Sequence, residues 1–410
     1  MDNIKTGFWK KCTFFECKDQ KLCFTFHLYI FKRIFEFSTS INNFCKAAYY
    51  RIVMTFTYRS HPMNILFGKG SFKEIIHHLK EYTSCFVIAS DRMDKQVRFL
   101  EKSEAIKSIT RFSKVIQHVP QTIVEEAENL LSKNPTDVII AIGGGSGIGL
   151  AKALALKTKH PIIAVPSTYS GSEQTNIWGI SSEEGKTTGK SLRVLPKLVI
   201  YDSEFTQSLP VKLAVKSGMN AMAHLMEAVY APDGNPITRN IALLGIEYIK
   251  KGLNELGDKQ KLTQDANENL LMGAFIAGRS LCEVSMSLHH KTAHVLGGSF
   301  GMDHASVHTV IQPYVLEYQW DYLSDEIRDD FTKSLGPNPS YELKNLAKRG
   351  GAETELKSIG FKREDITKAV KIILSKPYAN VAPLEEKALF EMLEKAYTGK
   401  LKQKPEPERN

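Results

Sequence analysis

The chain has 410 residues, 42% of them hydrophobic and 24% charged, which is the composition of a globular protein long enough for two domains. Its net charge of +9 is unevenly placed, because residues 1–53 hold nine Lys/Arg against four Asp/Glu. The rest of the chain has no basic stripe with interleaved aromatic residues, so the positive charge does not indicate a nucleic-acid partner.

Residues 1–53 differ from the rest in other ways, with thirteen aromatic residues and four of the six cysteines. The longest apolar stretch, from Leu22 to Phe31, is too short to cross a bilayer, and no signal-peptide cleavage pattern follows it. We interpret this segment as upstream sequence with Met54 as the natural start. A membrane-surface anchor and an accessory segment are the alternatives. The cysteine-poor body predicts a reduced, cytoplasmic protein without a membrane partner.

From residue 54 to about Pro210, apolar runs of strand length alternate with helical patterns. The predicted strands lie at 64–67, 85–89, 115–119, 137–142, 161–165 and 198–201. The predicted helices between them lie at 72–79, 122–131 and 150–156. This alternation predicts βαβ units, and therefore a Rossmann-like α/β domain with a parallel sheet over residues 54–210.

Beyond Pro210 the hydrophobic pattern changes to a helical period. It covers 211–230, 236–256, 262–288 and several segments after 340. These patterns predict an all-helical C-terminal domain over residues 211–401. The last residues, 402–410, are polar and are expected to be a frayed tail.

A glycine-rich turn, Gly143-Gly-Gly-Ser-Gly-Ile-Gly149, joins the predicted strand 137–142 to a helix. Glycines let the backbone come close to a ligand, and the N–H groups at a helix start favour phosphate. The turn has neither the usual dinucleotide spacing of glycines nor the Gly-Lys-Ser/Thr of a Walker loop. A phosphate site is the favoured interpretation, and a tight turn without a ligand is the alternative.

A second polar loop, Pro166-Ser-Thr-Tyr-Ser-Gly-Ser-Glu173, leaves the next strand at the same edge of the predicted sheet, where ligands bind. The hydroxyls of Ser167, Thr168 and Ser170 are candidates to contact a pyrophosphate or a nicotinamide amide. A hydroxyl-rich turn that caps a helix is the alternative.

Asp91 follows an earlier strand, where a carboxylate would bind ribose hydroxyls and favour NADH over NADPH. A helix cap explains Asp91 equally well.

Histidines cluster in the helical half. Asn220 and His224 are four residues apart and share a helix face, as do His290 and His294, and His304 follows in a predicted loop. Three imidazoles and a carboxylate would suit Fe²⁺ or Zn²⁺. Asn220 is a neutral amide where that carboxylate would be expected, so we expect no tightly held metal. If a metal does bind, its expected ligands are Asn220, His224, His290 and His304.

These segments together resemble the iron-containing alcohol dehydrogenase superfamily, and within it the maleylacetate reductases. The resemblance runs from Met54 to about Leu401 and includes Ala141-Ile-Gly-Gly-Gly-Ser-Gly-Ile-Gly-Leu-Ala-Lys152, the polar loop, residues 186–196 and both histidine segments. The marks of the reductases are Asn220, the doubled His289-His290 and Tyr230-Ala-Pro-Asp-Gly-Asn-Pro236. One departure is Asn380-Val-Ala-Pro383, where Asn-Pro-Arg-Pro is expected.

The resemblance implies a homodimer that uses NADH, with NADPH as an alternative, to reduce the conjugated C=C bond of 2-maleylacetate to 3-oxoadipate in aromatic-compound catabolism. The residues that match its pyrophosphate loop are Gly144, Gly145 and Ser146. Those that match its metal-ligand histidines are His224, His290 and His304. His294 matches its histidine beside the nicotinamide.

A small dicarboxylate substrate requires cations and proton donors. The candidate substrate-binding residues are Asn220, Lys190, Arg193, Lys291 and His304, although each cation is also explained as a solvated surface charge. The candidate catalytic residues are His224, His290, His294, Lys186 and Tyr378. For Tyr378, a proton donor and a buried structural tyrosine are the two interpretations. Two other functions stay open: a metal-dependent alcohol dehydrogenase or aldehyde reductase, and a non-catalytic ligand-binding relative.

Overall fold

The structure, a computed structural model, describes residues 56–402 except the side chain of Lys186. The interpretations of residues 1–53, of Met54 as the start and of the tail beyond residue 402 therefore lie outside the described residues. The chain divides into two compact units, Met1–Thr57 and Tyr58–Asn410, and the second contains every element described here.

A six-stranded parallel sheet forms the first part of the second unit. Its order is β1-β8-β5-β4-β2-β3. The strands of this sheet are β1 (Ile65–Phe67), β2 (Ser84–Ala89), β3 (Ser108–Phe112), β4 (Val138–Gly143), β5 (Ile162–Pro166) and β8 (Leu198–Tyr201). The central strands are buried on both faces because they are almost wholly apolar. The predicted parallel α/β sheet is confirmed.

Helices cover both faces of this sheet. They are α1 (Ile75–Leu79), α2 (Asp94–Glu101), α3 (Gln121–Ser132) and α4 (Gly145–Thr158). Successive strand residues point to opposite faces. Ile139 and Ala141 accordingly pack in one core, and Ile140 and Ile142 in the other.

The predicted strand at 115–119 is wrong. His118 and Val119 have φ values of 65° and 52°, in the left-handed region that an extended strand excludes. Pro120, the next residue, is the N-cap of α3. The strand of this region is β3, whose half-buried sequence Ser-Ile-Thr-Arg-Phe has little apolar signal.

A β-hairpin that the sequence did not indicate lies beside the sheet. It consists of β6 (Ile177–Ser182) and β7 (Gly185–Lys190), which pair antiparallel. The hairpin holds the left-handed turn in place, since the Ser181 N–H donates to the Val119 carbonyl at 3.1 Å. The Ser181 hydroxyl also donates to the His118 carbonyl at 2.9 Å.

The second part is helical, as predicted. Its helices are α5 (Val211–Tyr230), α6 (Pro236–Lys259), α7 (Gln264–Glu283), α8 (Leu288–Phe300), α9 (His304–Gln319), α10 (Asp325–Leu335), α11 (Pro339–Arg349), α12 (Ile366–Leu374) and α13 (Glu386–Thr398). The predicted helix at 262–288 ends at Glu283, and α8 begins five residues later at Leu288. His304 is the first residue of α9 and not part of a loop, because Asp303 caps that helix by accepting from the Ser306 N–H at 2.9 Å.

One further property of these helices concerns membranes. Among residues 56–402, no single helix has the length and apolarity of a membrane span. Taken together, α7 and α8 reach those values, with a bend of 101° between them.

Candidate active site

A cavity of about 680 Å³ lies where the carboxyl ends of β4 and β5 face α5 and α8. Two of its sides matter for chemistry. We call the first the glycine wall, which contains Gly145, Ser146, Thr168 and Ser170. We call the second the histidine wall, which contains Asn220, His224, His290, His294 and His304. The hairpin β6–β7 contributes Trp178, Thr188 and Lys190.

In the glycine wall, the backbone at the start of α4 packs against side chains of the polar loop. Helix α4 begins at Gly145 with Gly144 as its N-cap, so the first amide N–H groups have no partner within the helix. A Cβ atom at Gly144 would lie 3.1 Å from Thr168 Cγ2, and one at Gly145 would lie 3.6 Å from Ser170 Oγ. The tight contact favours glycine at position 144, whereas Gly145 has room for a methyl group. The amides and hydroxyls here form a cradle that fits a phosphate group.

The other predicted cofactor residues lie outside the cavity lining. Gly144 and Ser167 lie behind the glycine wall, where the Ser167 N–H donates to the Gly143 carbonyl at 3.0 Å. Asp91 follows β2 at the same edge of the sheet, with 88% of its side chain exposed. Its carboxylate forms an ion pair with Arg111 at 3.3 Å. Asp91 is not the N-cap of the following helix α2, because that position is Met93.

The histidine wall is built by three helices. Helix α5 supplies Asn220 and His224, α8 supplies His290 and His294, and α9 supplies His304. The structure thus brings together Asn220 and the four selected histidines, whereas Lys291, the other candidate on α8, does not line the cavity. The buried imidazoles of His224 and His290 are hydrogen-bonded to each other, with His224 Nδ1 2.6 Å from His290 Nε2. The rings of His294 and His304 stack with their centres 6.1 Å apart.

Glu227, which the sequence analysis missed, lies beneath this wall. It is 1% exposed, and its Oε2 lies 2.7 Å from His290 Nδ1. The same carboxyl accepts from the backbone N–H groups of Ser287 at 3.0 Å and His289 at 2.7 Å. Burial raises the pKa of Glu227 to about 7, although these N–H groups act to lower it. The sequence indicates this residue only by its spacing, since Glu227 follows His224 by three residues on the same helix and so lies near the same face.

The protonation of this network follows from its hydrogen bonds. The ring of His224 donates to the Ser170 carbonyl, which can only accept. His224 Nδ1 therefore accepts from His290 Nε2, and His290 Nδ1 is left to accept the proton of a neutral Glu227. Burial lowers the pKa of His290 to about 3 and that of His224 well below its ordinary value, so both imidazoles are neutral.

A second pair of buried histidines lies next to the first. His289 Nε2 is 2.8 Å from His308 Nδ1, and the ring centres of His308 and His290 are 4.9 Å apart. Burial and the neighbouring imidazoles lower the pKa of both His289 and His308 well below the ordinary value. The sequence analysis used His289 as a mark of resemblance and did not select His308.

The nitrogen and oxygen donors of the histidine wall do not fit a metal ion as they are placed. His224 and His290 bond to each other at 2.6 Å, whereas two ligands of one tetrahedral Zn²⁺ are about 3.3 Å apart. Asn220 contributes a neutral amide, whose buried Oδ1 has no hydrogen-bond partner among the described residues. Within residues 56–402, no group of three or more His, Cys, Asp or Glu is placed to hold a metal.

The predicted cations and the predicted tyrosine are dispersed. Lys190 lines the cavity, whereas Arg193, Lys291 and Tyr378 do not. Lys291 Nζ lies 5.9 Å from the centre of the Tyr378 ring, and burial raises the pKa of Tyr378. The Tyr378 hydroxyl is buried and has no hydrogen-bond partner within residues 56–402. The side chain of Lys186 lies outside the described residues.

The class of protein follows from this fold and from comparison with known families. Residues 62–203 match the family described as iron-containing alcohol dehydrogenase. Residues 214–397 match the C-terminal part of the Fe-containing alcohol dehydrogenase family. The two matches cover both the parallel sheet and the helical part, and therefore both walls of the cavity.

Individual relatives narrow the class. A maleylacetate reductase of Sphingobium indicum is 36% identical over 347 residues, which is 84% of this chain and 98% of the relative. The structure of maleylacetate reductase from Rhizobium sp. strain MTP-10005 superposes with a TM-score of 0.80 at 32% identity, covering 85% of this chain and 99% of that one. The structure of the Agrobacterium tumefaciens enzyme superposes equally well, at 31% identity over 84% of this chain and 99% of that one. The chain therefore belongs to the iron-containing alcohol dehydrogenase superfamily and, within it, to the maleylacetate reductase family of oxidoreductases.

Proposed function

We propose that this enzyme reduces the conjugated C=C bond of 2-maleylacetate to 3-oxoadipate with NADH, without a metal, in the catabolism of aromatic compounds. The observation that carries the proposal is the neutral amide of Asn220 beside two neutral, mutually bonded imidazoles, His224 and His290. An alcohol dehydrogenase of this superfamily needs a Lewis acid at that place to polarise a carbonyl. The relatives named maleylacetate reductase support the same reaction.

The glycine wall supports binding of a nicotinamide cofactor. The first amides of α4, with Gly145 and Ser146, would hold the pyrophosphate, and the hydroxyls of Thr168 and Ser170 face the same cleft. When bound, the cofactor supplies the hydride. The exposed carboxylate of Asp91 supports NADH, because it would repel a 2′-phosphate. NADPH stays the alternative, because Arg111 lies beside Asp91 and a guanidinium group can bind a 2′-phosphate.

The histidine wall supports stabilisation of an enolate. Hydride addition to the carbon β to the ketone places negative charge on the ketone oxygen, and a proton must then reach the α carbon. The ring N–H groups of His224 and His290 are used within the network, so the side-chain amide of Asn220, which lines the cavity, would donate to that oxygen. His294 is exposed within the cavity and is our candidate for the group nearest the reacting atoms. The hydrogen-bonded row His224–His290–Glu227 lies behind it and fixes the orientation of the two buried rings.

The substrate's two carboxylates need partners in the same cavity. Lys190 lines it from the hairpin, and Asn220 and His304 line it from the histidine wall. We propose these three residues as the substrate-binding set. Roles for Lys186, Arg193, Lys291 and Tyr378 stay predictions, as do a cytoplasmic location and a homodimer.

The proposal is tested by NADH oxidation with maleylacetate, before and after treatment with a chelator, with bound metal quantified in each sample. We expect 3-oxoadipate as the product and an unchanged rate after chelation. If the chelated protein is inactive and Fe²⁺ or Zn²⁺ restores reduction of simple aldehydes, the enzyme is instead a metal-dependent dehydrogenase. If the protein neither binds nor oxidises NADH, it is a non-catalytic relative.

A further inference from the structure

A buried lysine lies directly behind the glycine wall. Lys152, in α4, is 1% exposed, and its Nζ is surrounded by four oxygen atoms. Nζ lies 2.6 Å from the Ser172 carbonyl oxygen, 2.7 Å and 2.9 Å from the carbonyl and hydroxyl oxygens of Thr175, and 3.0 Å from the Ile177 carbonyl oxygen, so its three N–H groups are shared among four acceptors. Three carbonyls and a hydroxyl at these distances favour the charged ammonium. Burial nevertheless lowers the pKa of Lys152 to about 7, although the buried carboxyl of Glu173 acts to raise it.

The oxygens around Lys152 all belong to the segment that continues from the polar loop, residues 167–177. The loop is held from its other side by α7, where a Cβ atom at Gly278 would lie 2.0 Å from the Gly171 carbonyl oxygen. Lys152 and Gly278 thus fix the loop between two helices. The edge of the loop that faces the cavity carries Thr168 and Ser170, which pack on the glycines that begin α4.

This loop also connects the two walls of the cavity. The Ser170 side chain lies against Gly145, and the Ser170 carbonyl accepts a hydrogen bond from the ring of His224. A change in loop conformation would therefore alter the cleft for the cofactor and the orientation of the imidazole together. Lys152 itself is among the residues that line the cavity.

We propose that Lys152 is a positioning residue for the cofactor, which holds the loop 167–177 against α4 and so keeps Thr168 and Ser170 beside the pyrophosphate site. The inference rests on the nicotinamide site of the proposed function and does not depend on which substrate is reduced. The buried carboxyl of the neighbouring Glu173 accepts from the Tyr201 hydroxyl at 2.7 Å and also acts to raise the pKa of Lys152.

The test is the NADH dissociation constant of Lys152→Ala, measured by fluorescence. The matched control is Lys157→Ala, on the same helix, where the lysine forms a surface ion pair with Glu128. We expect the dissociation constant to rise about tenfold for Lys152→Ala, because charge-assisted hydrogen bonds are lost, and to stay unchanged for the control. Ethylammonium should restore NADH binding to Lys152→Ala, whereas tetramethylammonium, which has no N–H donor, should not.

A second variant keeps the proposal testable if Lys152→Ala does not fold. Thr175→Val removes only the hydroxyl from the four oxygens and should raise the NADH dissociation constant about threefold. An unchanged constant in folded Lys152→Ala, or in Thr175→Val when Lys152→Ala is unfolded, would overturn the proposal. Equal restoration by the two ammonium ions would overturn it as well. If the parent binds NADH but does not reduce maleylacetate, the proposed function fails while this inference stands.

Discussion

The two walls of the cavity are built on different physical principles. The glycine wall depends on the absence of side chains and on backbone amides, so its properties are set within two short segments, at Gly144–Gly145 and Thr168–Ser170. The histidine wall depends on side chains from three helices, whose protonation is set by burial and by one another. A binding surface can therefore be local in sequence, whereas the acid–base character of a site is a property of the packed protein.

The largest effect that we expect concerns the buried carboxyl behind the histidine wall. The pKa of Glu227 is raised from 4.5 to about 7, so its stabilising contribution is fully present below pH 4.5 and is lost as the pH rises through 7. Glu227→Gln reproduces the neutral acid, since its amide can donate to His290 and its oxygen can accept from the backbone. Relative to the parent, the variant should gain on the order of 2–3 kcal/mol between about pH 5 and pH 8.

Denaturant unfolding of both proteins across this pH range measures the effect. Glu125→Gln, on the exposed side of α3, is the control and should follow the parent at every pH. Parallel stability curves for Glu227→Gln and the parent would show that the carboxyl is not neutral in the folded state, and the protonation of the network would have to be reversed.

The next effect concerns the glycine wall. A Cβ atom at Gly145 would lie 3.6 Å from Ser170 Oγ, so alanine would be tolerated, but the branched methyls of Gly145→Val would enter the cleft. We expect the NADH dissociation constant to rise about tenfold, roughly 1.4 kcal/mol, with little change in the pKa values of the histidine wall. Gly298→Val, where an added Cβ atom meets nothing within 4 Å, is the matched control for NADH fluorescence titration. Equal affinity of Gly145→Val and the parent for NADH would remove the cofactor from this wall.

The smallest effect concerns the fourth position of the histidine wall. Asn220→Asp restores a carboxylate and should raise Zn²⁺ affinity, measured by equilibrium dialysis, by several-fold to about tenfold. The gain is limited because metal binding must break the 2.6 Å bond between His224 and His290. Asn220→Leu, which has a similar size and no donor, should show no gain. If Asn220→Asp binds Zn²⁺ no better than the parent, the neutral amide is not what weakens metal binding here.

The same contrast explains what could be predicted from the sequence. The strand at Leu198–Tyr201 and the helix at Val211–Tyr230 were predicted with their observed bounds, because each has one clear hydrophobic period. The strand predicted at 115–119 was wrong. Val115 and Val119 have the β-branched side chains typical of a strand, but the backbone of Val119 is in the left-handed region. The hairpin β6–β7 was missed because its sequence is mostly polar.

Within the site, the residues that the sequence analysis missed are those whose role depends on tertiary partners. Glu227 and His308 stood next to selected residues, but only packing shows that one bonds His290 and the other His289. Lys152 was part of the glycine motif, yet its four oxygen partners lie 20 to 25 residues further along the chain. Helical spacing placed Asn220 and His224 on one face correctly, since that depends on one helix alone.

The central claim is that the histidine wall works through neutral imidazoles and an amide and not through a metal. Graded chelation of one preparation, with bound iron and zinc and the rate of maleylacetate reduction measured on the same samples, tests it most directly. The account predicts a rate that stays constant while the metal content falls toward zero. A rate that falls in proportion to the bound metal, and returns when the metal is restored, would contradict it.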